Sequence, residues 1–185
     1  MKVTINANGK TVQAEISEGQ LKELGLVEQL KKLGLLEDKP RTGYEGREEC
    51  NNKKHYFVNT IDLVIEDENT VLFDQNRYDV GNYYSDKTIA ENNARADRLL
   101  RQLRQWQAQN DEPFSISDWK NEGIIKYFIA YNYRSSLFEI GRCSRRREPN
   151  IIYFTTKDKV SKAVKNFRDE LEWYFTEYQQ RLDEE

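Results

Sequence analysis

His55-Tyr56-Phe57-Val58 is answered later in the chain by Lys126-Tyr127-Phe128-Ile129, and Tyr83-Tyr84-Ser85 by Tyr153-Phe154-Thr155. The first two blocks lie 71 residues apart and the second two 70. Each copy opens with an aromatic strand pattern, crosses a polar stretch, reaches an aromatic doublet and runs into a helix-like segment. Near-constant spacing of this kind marks a repeated structural unit. The predicted unit is two strands, a third short strand and a helix.

In the first unit, 55–112, Tyr56 to Ile65 and Val71 to Phe73 read as a hairpin through Glu66-Asp67-Glu68-Asn69, with Arg77 to Tyr84 as a third strand. Ser85 or Asp86 caps a helix to about Gln109, where Ile89, Ala96, Leu99, Leu100, Leu103 and Trp106 form one stripe. In the second unit, 113–185, Ile124 to Tyr133, Leu137 to Gly141 and Ile151 to Phe154 read as strands. Thr156 then starts a helix with Val160, Val164, Phe167, Leu171, Tyr174, Phe175 and Tyr178 inward. The fold class is α+β, in tandem ββ(β)α repeats. Edge-to-edge pairing of the units gives one antiparallel sheet with two long helices on one face; the alternative is two small sheets about a pseudo-twofold axis.

Ahead of the repeats, residues 1–38 form a small module. Val3, Ile5, Val12, Ala14 and Ile16 alternate around Asn8-Gly9, a dipeptide suited to a tight hairpin. Ser17 stands three residues before Gln20, the spacing of a capping box, and Leu21, Leu24 and Leu26 follow as a short helix. Residues 39–54, with Pro40, Gly43, Gly46, Asn51, Asn52 and many charges, read as a linker or long mobile loop.

Of the 185 residues 37% are apolar and 33% charged, and 12% are aromatic, enough large side chains to argue against disorder. A domain of about 150 residues buries roughly 70% of its unfolded surface, so a core forms without staples. Cys50 and Cys143 make no CxxC pair, which argues against a disulfide framework or a zinc site. The opening Met1-Lys2-Val3-Thr4-Ile5-Asn6 lacks the apolar run of a signal peptide, and no stretch approaches the ~20 apolar residues of a membrane span. The expected location is the cytoplasm. A net charge of −3 exerts no general pull on nucleic acid, so such binding needs a local patch.

Two such features stand out. Along Ile124 to Tyr133, side chains alternate between faces: Phe128 and Ala130 are expected toward the helices, with Ile125, Tyr127, Ile129, Tyr131 and Tyr133 on the other face. That second face is either a partner-binding surface through Tyr127, Tyr131 and Tyr133 or a surface covered by the N-terminal module or a second subunit. The other feature is the dense basic cluster Arg142, Arg145, Arg146 and Arg147, suited to an acidic protein surface or to phosphates, or else a solvated turn. Arg95, Arg98, Arg101 and Arg104 are expected to spread over a solvated helix surface. His55, the single histidine, has no serine or cysteine nucleophile nearby, Cys50 sitting five residues away in a loop. Calcium-loop, GxxxxGK[ST] and GxGxxG patterns are absent from the sequence, and the expectation is a non-enzymatic protein without metal or cofactor.

Gln20-Leu21-Lys22-Glu23-Leu24-Gly25-Leu26, Asn76-Arg77-Tyr78-Asp79-Val80-Gly81-Asn82-Tyr83-Tyr84 and Trp173-Tyr174-Phe175 together resemble uncharacterised accessory proteins of Gram-positive phages and prophages. The resemblance covers most of the chain and carries no catalytic motif. It implies a protein that acts in the host cytoplasm by binding host machinery, as inhibitors of bacterial defence such as anti-CRISPR proteins do. The expected partner is a host protein or nucleoprotein complex. Nucleic acid bound through the arginine loop is the second expectation, a phage structural or assembly role the third, and a homodimer remains compatible with all of them.

Overall fold

The computed structural model describes residues 2–7, 10–15, 17, 19, 20, 25, 26, 29, 41–46, 54–66 and 71–184. The chain divides into two compact units, Met1–Pro40 and Arg41–Glu185. In the first, β1 (Lys2–Ala7) pairs antiparallel with β2 (Lys10–Glu15), from Lys2 opposite Glu15 to Ala7 opposite Lys10. The Asn8-Gly9 turn lies outside the described residues, as does most of the expected leucine helix. The capping box that opens it is in place: Gln20 N–H donates to Ser17 Oγ at 3.3 Å, and Ser17 N–H donates back to Gln20 Oε1 at 2.9 Å.

The larger unit is mixed α and β. Its strands form two separate antiparallel sheets. One is β3 (Tyr56–Val58) against β4 (Val64–Glu66); the other is three-stranded, in the order β6-β5-β7, with β5 Lys126–Asn132, β6 Leu137–Cys143 and β7 Tyr153–Phe154. The single continuous sheet expected from the sequence is therefore corrected to two. The long helix α2 (Lys87–Asn110) packs against β3 and β4 on one side and against α4 (Lys157–Asn166) and α5 (Arg168–Thr176) on the other.

The single strand expected over Tyr56 to Ile65 is instead folded back on itself as the hairpin β3–β4, because the chain turns early. Asn59 Oδ1 accepts from the N–H of Ile61 and of Leu63, both at 3.0 Å, and Asp62 takes a left-handed φ of 62°. Most of the expected turn, Asp67-Glu68-Asn69, lies outside the described residues. The expected strands Val71 to Phe73 and Arg77 to Tyr84 are replaced by the helix α1 (Val71–Asp79), leaving only Tyr84 bridged antiparallel to Tyr56. Asp74 and Arg77 pair at 3.6 Å along it, acid toward its N-terminus and base toward its C-terminus. Gly81, at φ 72°, closes the helix: its N–H donates to Tyr78 O and the N–H of Asn82 to Arg77 O, a Schellman pair.

The two other helices start where expected. Asp86 caps α2 by accepting from Ile89 N–H, and Thr156 caps α4 by accepting from Lys159 N–H. The second expected long helix is kinked at Phe167 (φ −116°, ψ 23°) into α4 and α5, while backbone bonds from Phe167 to Ala163 and from Leu171 to Phe167 carry across the break.

The core forms two clusters on α2. Tyr84, Ile89 and Ala90 pack with Tyr44, Tyr56, Val58, Val64 and Leu182. Leu99, Leu103, Phe154, Val160, Ala163 and Leu171 form the other cluster. Part of the expected linker belongs to this body: Tyr44 packs on Tyr84 with ring centroids 5.1 Å apart, Gly43 O accepts from Ser85 N–H, and Thr42 O accepts from Leu182 N–H. Arg41–Gly46 is thus packed structure, and the unit boundary falls at Pro40.

On β6, Gly141 is required by contact: a Cβ there would lie 2.3 Å from the Phe128 ring. Gly141→Val is expected to cost about 1–3 kcal/mol in urea unfolding, because the sheet must shift to admit the side chain. A neutral outcome would show that the Phe128 ring moves aside freely.

Candidate functional site

Lys126 opens β5, yet its side chain is completely buried. Its Nζ donates to the carbonyl oxygens of Asp118, Ser144 at 2.9 Å and Asn121 at 3.4 Å, so each of its three N–H groups has an acceptor. The Asp118 and Asn121 carbonyls come from α3 (Ile116–Lys120) and its C-cap, a short helix held by a full capping box between Ser115 and Asp118. The Ser115 hydroxyl, its backbone N–H and the Lys126 charge hold the Asp118 carboxyl below the usual carboxylate range. Trp119 of the same helix lies 5.2 Å from Lys126 Nζ and packs edge-on to Tyr153, at 4.9 Å between centroids.

The basic segment 144–148 is tacked to this platform at every second residue. Ser144 O accepts from Lys126 Nζ; Arg146 O accepts from Cys143 Sγ at 3.2 Å and from Tyr153 OH at 3.5 Å; and Glu148 N–H donates to Tyr153 OH at 3.0 Å. These bonds hold the backbone of the segment and leave the Arg145 and Arg147 side chains exposed. Arg145 pairs with Glu122, and the Arg147 guanidinium sits 5.6 Å from the Trp119 ring. Arg142 and Arg146 are exposed, and their side chains meet no carboxylate among the described residues. The arginine cluster is therefore a preformed projection with its backbone hydrogen-bonded to side chains below.

The tyrosines fall differently. Tyr127 and Ile129 pack against the core beside α4, and Tyr131 stacks on Phe175 of α5 at 5.4 Å. The face expected to be open is the helix-covered one, and Phe128, on the opposite face, packs against Tyr153 instead. Alternation separates the two faces of a strand without saying which is buried. Tyr133 alone of the three is exposed, at 72%, and stands edge-on to Tyr131. Tyr127 lies opposite Arg142 in register, whereas Tyr133 is six residues further along, about 20 Å away. The structure thus groups Arg142, Arg145, Arg146 and Arg147 and leaves Tyr131 and Tyr133 at the far end of the sheet.

Three of the helix arginines also have structural work. Arg98 and Arg101 clamp Asp62 to α2, at 3.3 and 2.6 Å. Arg95 forks onto Glu170 at 2.8 and 3.1 Å while its guanidinium lies 3.9 Å over Trp173. His55 is buried and stacked on Tyr83 at 4.7 Å, with no hydrogen-bond partner at either ring nitrogen among the described residues, which do not include Cys50. Among the described residues no group of three or more His, Cys, Asp and Glu could hold a metal ion.

Two carboxylates anchor the doublets that precede α2 and α4. Burial raises the Glu45 carboxyl, but bonds from Ser85, Thr42 and Gly43 outweigh it and hold the group at about 2. Burial likewise raises Asp111, and Lys159 at 2.6 Å together with Thr155 lowers it below its ordinary value. A depressed folded-state value stabilises the fold above the unfolded carboxyl pKa, about 4, and the stabilisation is lost as pH falls toward the folded value. The unfolding midpoint is therefore expected to drop between about pH 4.5 and 2, and Glu45→Gln with Asp111→Asn to flatten that slope. A slope unchanged by the double substitution would assign acid unfolding to other groups.

No helix among the described residues is long and apolar enough to cross a membrane. No family model matches the chain, and neither a curated protein nor a solved structure does.

Proposed function

We propose that this chain is a non-enzymatic binding protein of the phage or prophage accessory type, which docks its arginine loop on an acidic face of a host protein or nucleoprotein complex and thereby inhibits or redirects it. The observation that carries the reading is the mounting of Arg145–Arg147 on Lys126, Cys143 and Tyr153. A cationic loop fixed before binding spares the ordering cost that a mobile one incurs. Arginine at the tip suits bidentate contact with carboxylates. The phage context rests on the likeness of Gln20–Leu26, Asn76–Tyr84 and Trp173–Phe175 noted above. Capture from host lysate by the tagged chain, read by mass spectrometry, tests it: the expected result is a discrete partner lost on Arg145→Ala, Arg146→Ala, Arg147→Ala together. Equal capture by the triple variant would move the site elsewhere.

A nucleic-acid reading draws on the same loop, through Arg147 beside the Trp119 ring. It predicts DNA or RNA affinity that falls steeply with added salt. Failure to bind either at low salt removes it.

We also infer that the two halves of the larger unit are copies of one module. Tyr56 lies opposite Tyr84 as Tyr127 lies opposite Phe154, and Asp86 and Thr156 cap the helices that follow. Ser85 is bonded to Glu45 as Thr155 is to Asp111, and the buried His55 and Lys126 occupy the matching positions. On this reading the second copy kept the scaffold and acquired the arginine loop.

A further inference from the structure

The geometry points to a second copy of this chain as the occupant of the open edge of β6, joined antiparallel so that two three-stranded sheets become one of six strands. β6 is an edge strand of seven residues without proline, regular along its whole pairing with β5, and no strand lies on its outer side among the described residues. Such an edge presents a row of backbone donors and acceptors that folded chains cover or guard.

The choice of occupant comes from the strand's own sequence, Leu137-Phe138-Glu139-Ile140-Gly141-Arg142-Cys143. A twofold axis through Ile140 pairs all seven residues and sets no like charges opposite each other. Ile140 meets Ile140, Leu137 meets Cys143, Glu139 meets Gly141, and Arg142 of each copy falls opposite Phe138 of the other. Cross-strand apolar and arginine–aromatic pairs of this kind stabilise a sheet, and like charges directly opposite destabilise it. Leu137 and Ile140, the apolar residues the pairing would cover, are 60% and 38% exposed in the single chain. Antiparallel joining also places the two arginine loops at opposite ends of the shared strand pair, about 20–25 Å apart. Where the loop binds as proposed, the pair is bivalent; the dimer itself does not depend on that reading.

Sedimentation of the full chain over a concentration series is expected to show a species of twice the 22.0 kDa chain mass. Ile140→Lys sets two like charges at the axis and is expected to move the dissociation midpoint to about tenfold higher concentration or beyond, with the circular dichroism of the parent. In a Cys50→Ser, Cys143→Ser background, Ile140→Cys places two thiols directly opposite, within reach of a disulfide, while Phe138→Cys faces Arg142. Mild oxidation is expected to cross-link the first and not the second. A chain that stays at 22.0 kDa at every concentration, or equal cross-linking at both positions, overturns the proposal.

Discussion

Lys126→Met is expected to lower the stability of the larger unit by about 2–4 kcal/mol, because it removes a fully buried ammonium whose loss leaves the carbonyls of Asp118 and Ser144 with no donor and that of Asn121 with the Ile124 N–H alone. Methionine matches the length and flexibility of the lysine stem, so the loss is of hydrogen bonds more than of volume. The second consequence is local. With Ser144 O released, the backbone of the arginine loop keeps its attachments to Cys143 and Tyr153 alone, and amide exchange at Arg145–Glu148 is expected to accelerate more than in the rest of β5 and β6. Lys126→Arg is not a rescue, since a planar guanidinium presents its donors in a fixed fork unsuited to three carbonyls around a point. Urea unfolding within about 0.5 kcal/mol of the parent, the range of ordinary surface changes, would show that the buried lysine is not an anchor.

Phe154→Ala carries the other large effect, about 3–5 kcal/mol. Phe154 is fully buried in the cluster of Leu99, Leu103, Val160, Ala163 and Leu171, sits edge-on to Trp106 at 6.0 Å, and lies opposite Tyr127 in the sheet. Removing it opens a cavity between the sheet and two helices that a two-residue strand has little means to collapse into. The neighbouring Tyr153 holds the arginine loop, so this substitution is also expected to loosen the loop. Phe154→Leu, which retains most of the volume, is expected to recover more than half of the loss. Equal losses for Ala and Leu would attribute the effect to the sheet pairing rather than to packing.

Much of the second unit was legible in the sequence. Lys126 to Asn132, Leu137 to Cys143 and Tyr153-Phe154 are strands near their expected limits, and Thr156 is the helix cap, as Asp86 is in the first unit. These are features written in local chemistry: alternation, and a side-chain oxygen three residues before a free N–H. The first unit is less legible, although it carries a helix stop signal. Gly81 belongs to a helix C-terminus, and the pairing of Asp74 with Arg77 at helical spacing was present in the sequence beside it.

Which face of β5 is covered depends on where α4 and α5 land, a tertiary fact that strand parity does not contain. That is why Tyr127 and Tyr131, surface candidates by parity alone, are packed residues, and why the arginines are the exposed group. Lys126 itself left a trace. It shares parity with Phe128 and Ala130, and a charge in register with apolar residues signals either an edge or a buried anchor with partners supplied by distant chain. Its acceptors lie up to 18 residues away, in a short helix, its C-cap and a loop that no local pattern joins.

The proposed binding surface of this protein is the arginine loop. The direct measurement is the affinity of the captured partner for the parent chain and for the Arg145→Ala, Arg146→Ala, Arg147→Ala variant, after urea unfolding has shown the two equally stable. At least about a tenfold loss of affinity, about 1.4 kcal/mol, is expected. An affinity unchanged in a stably folded variant would contradict it.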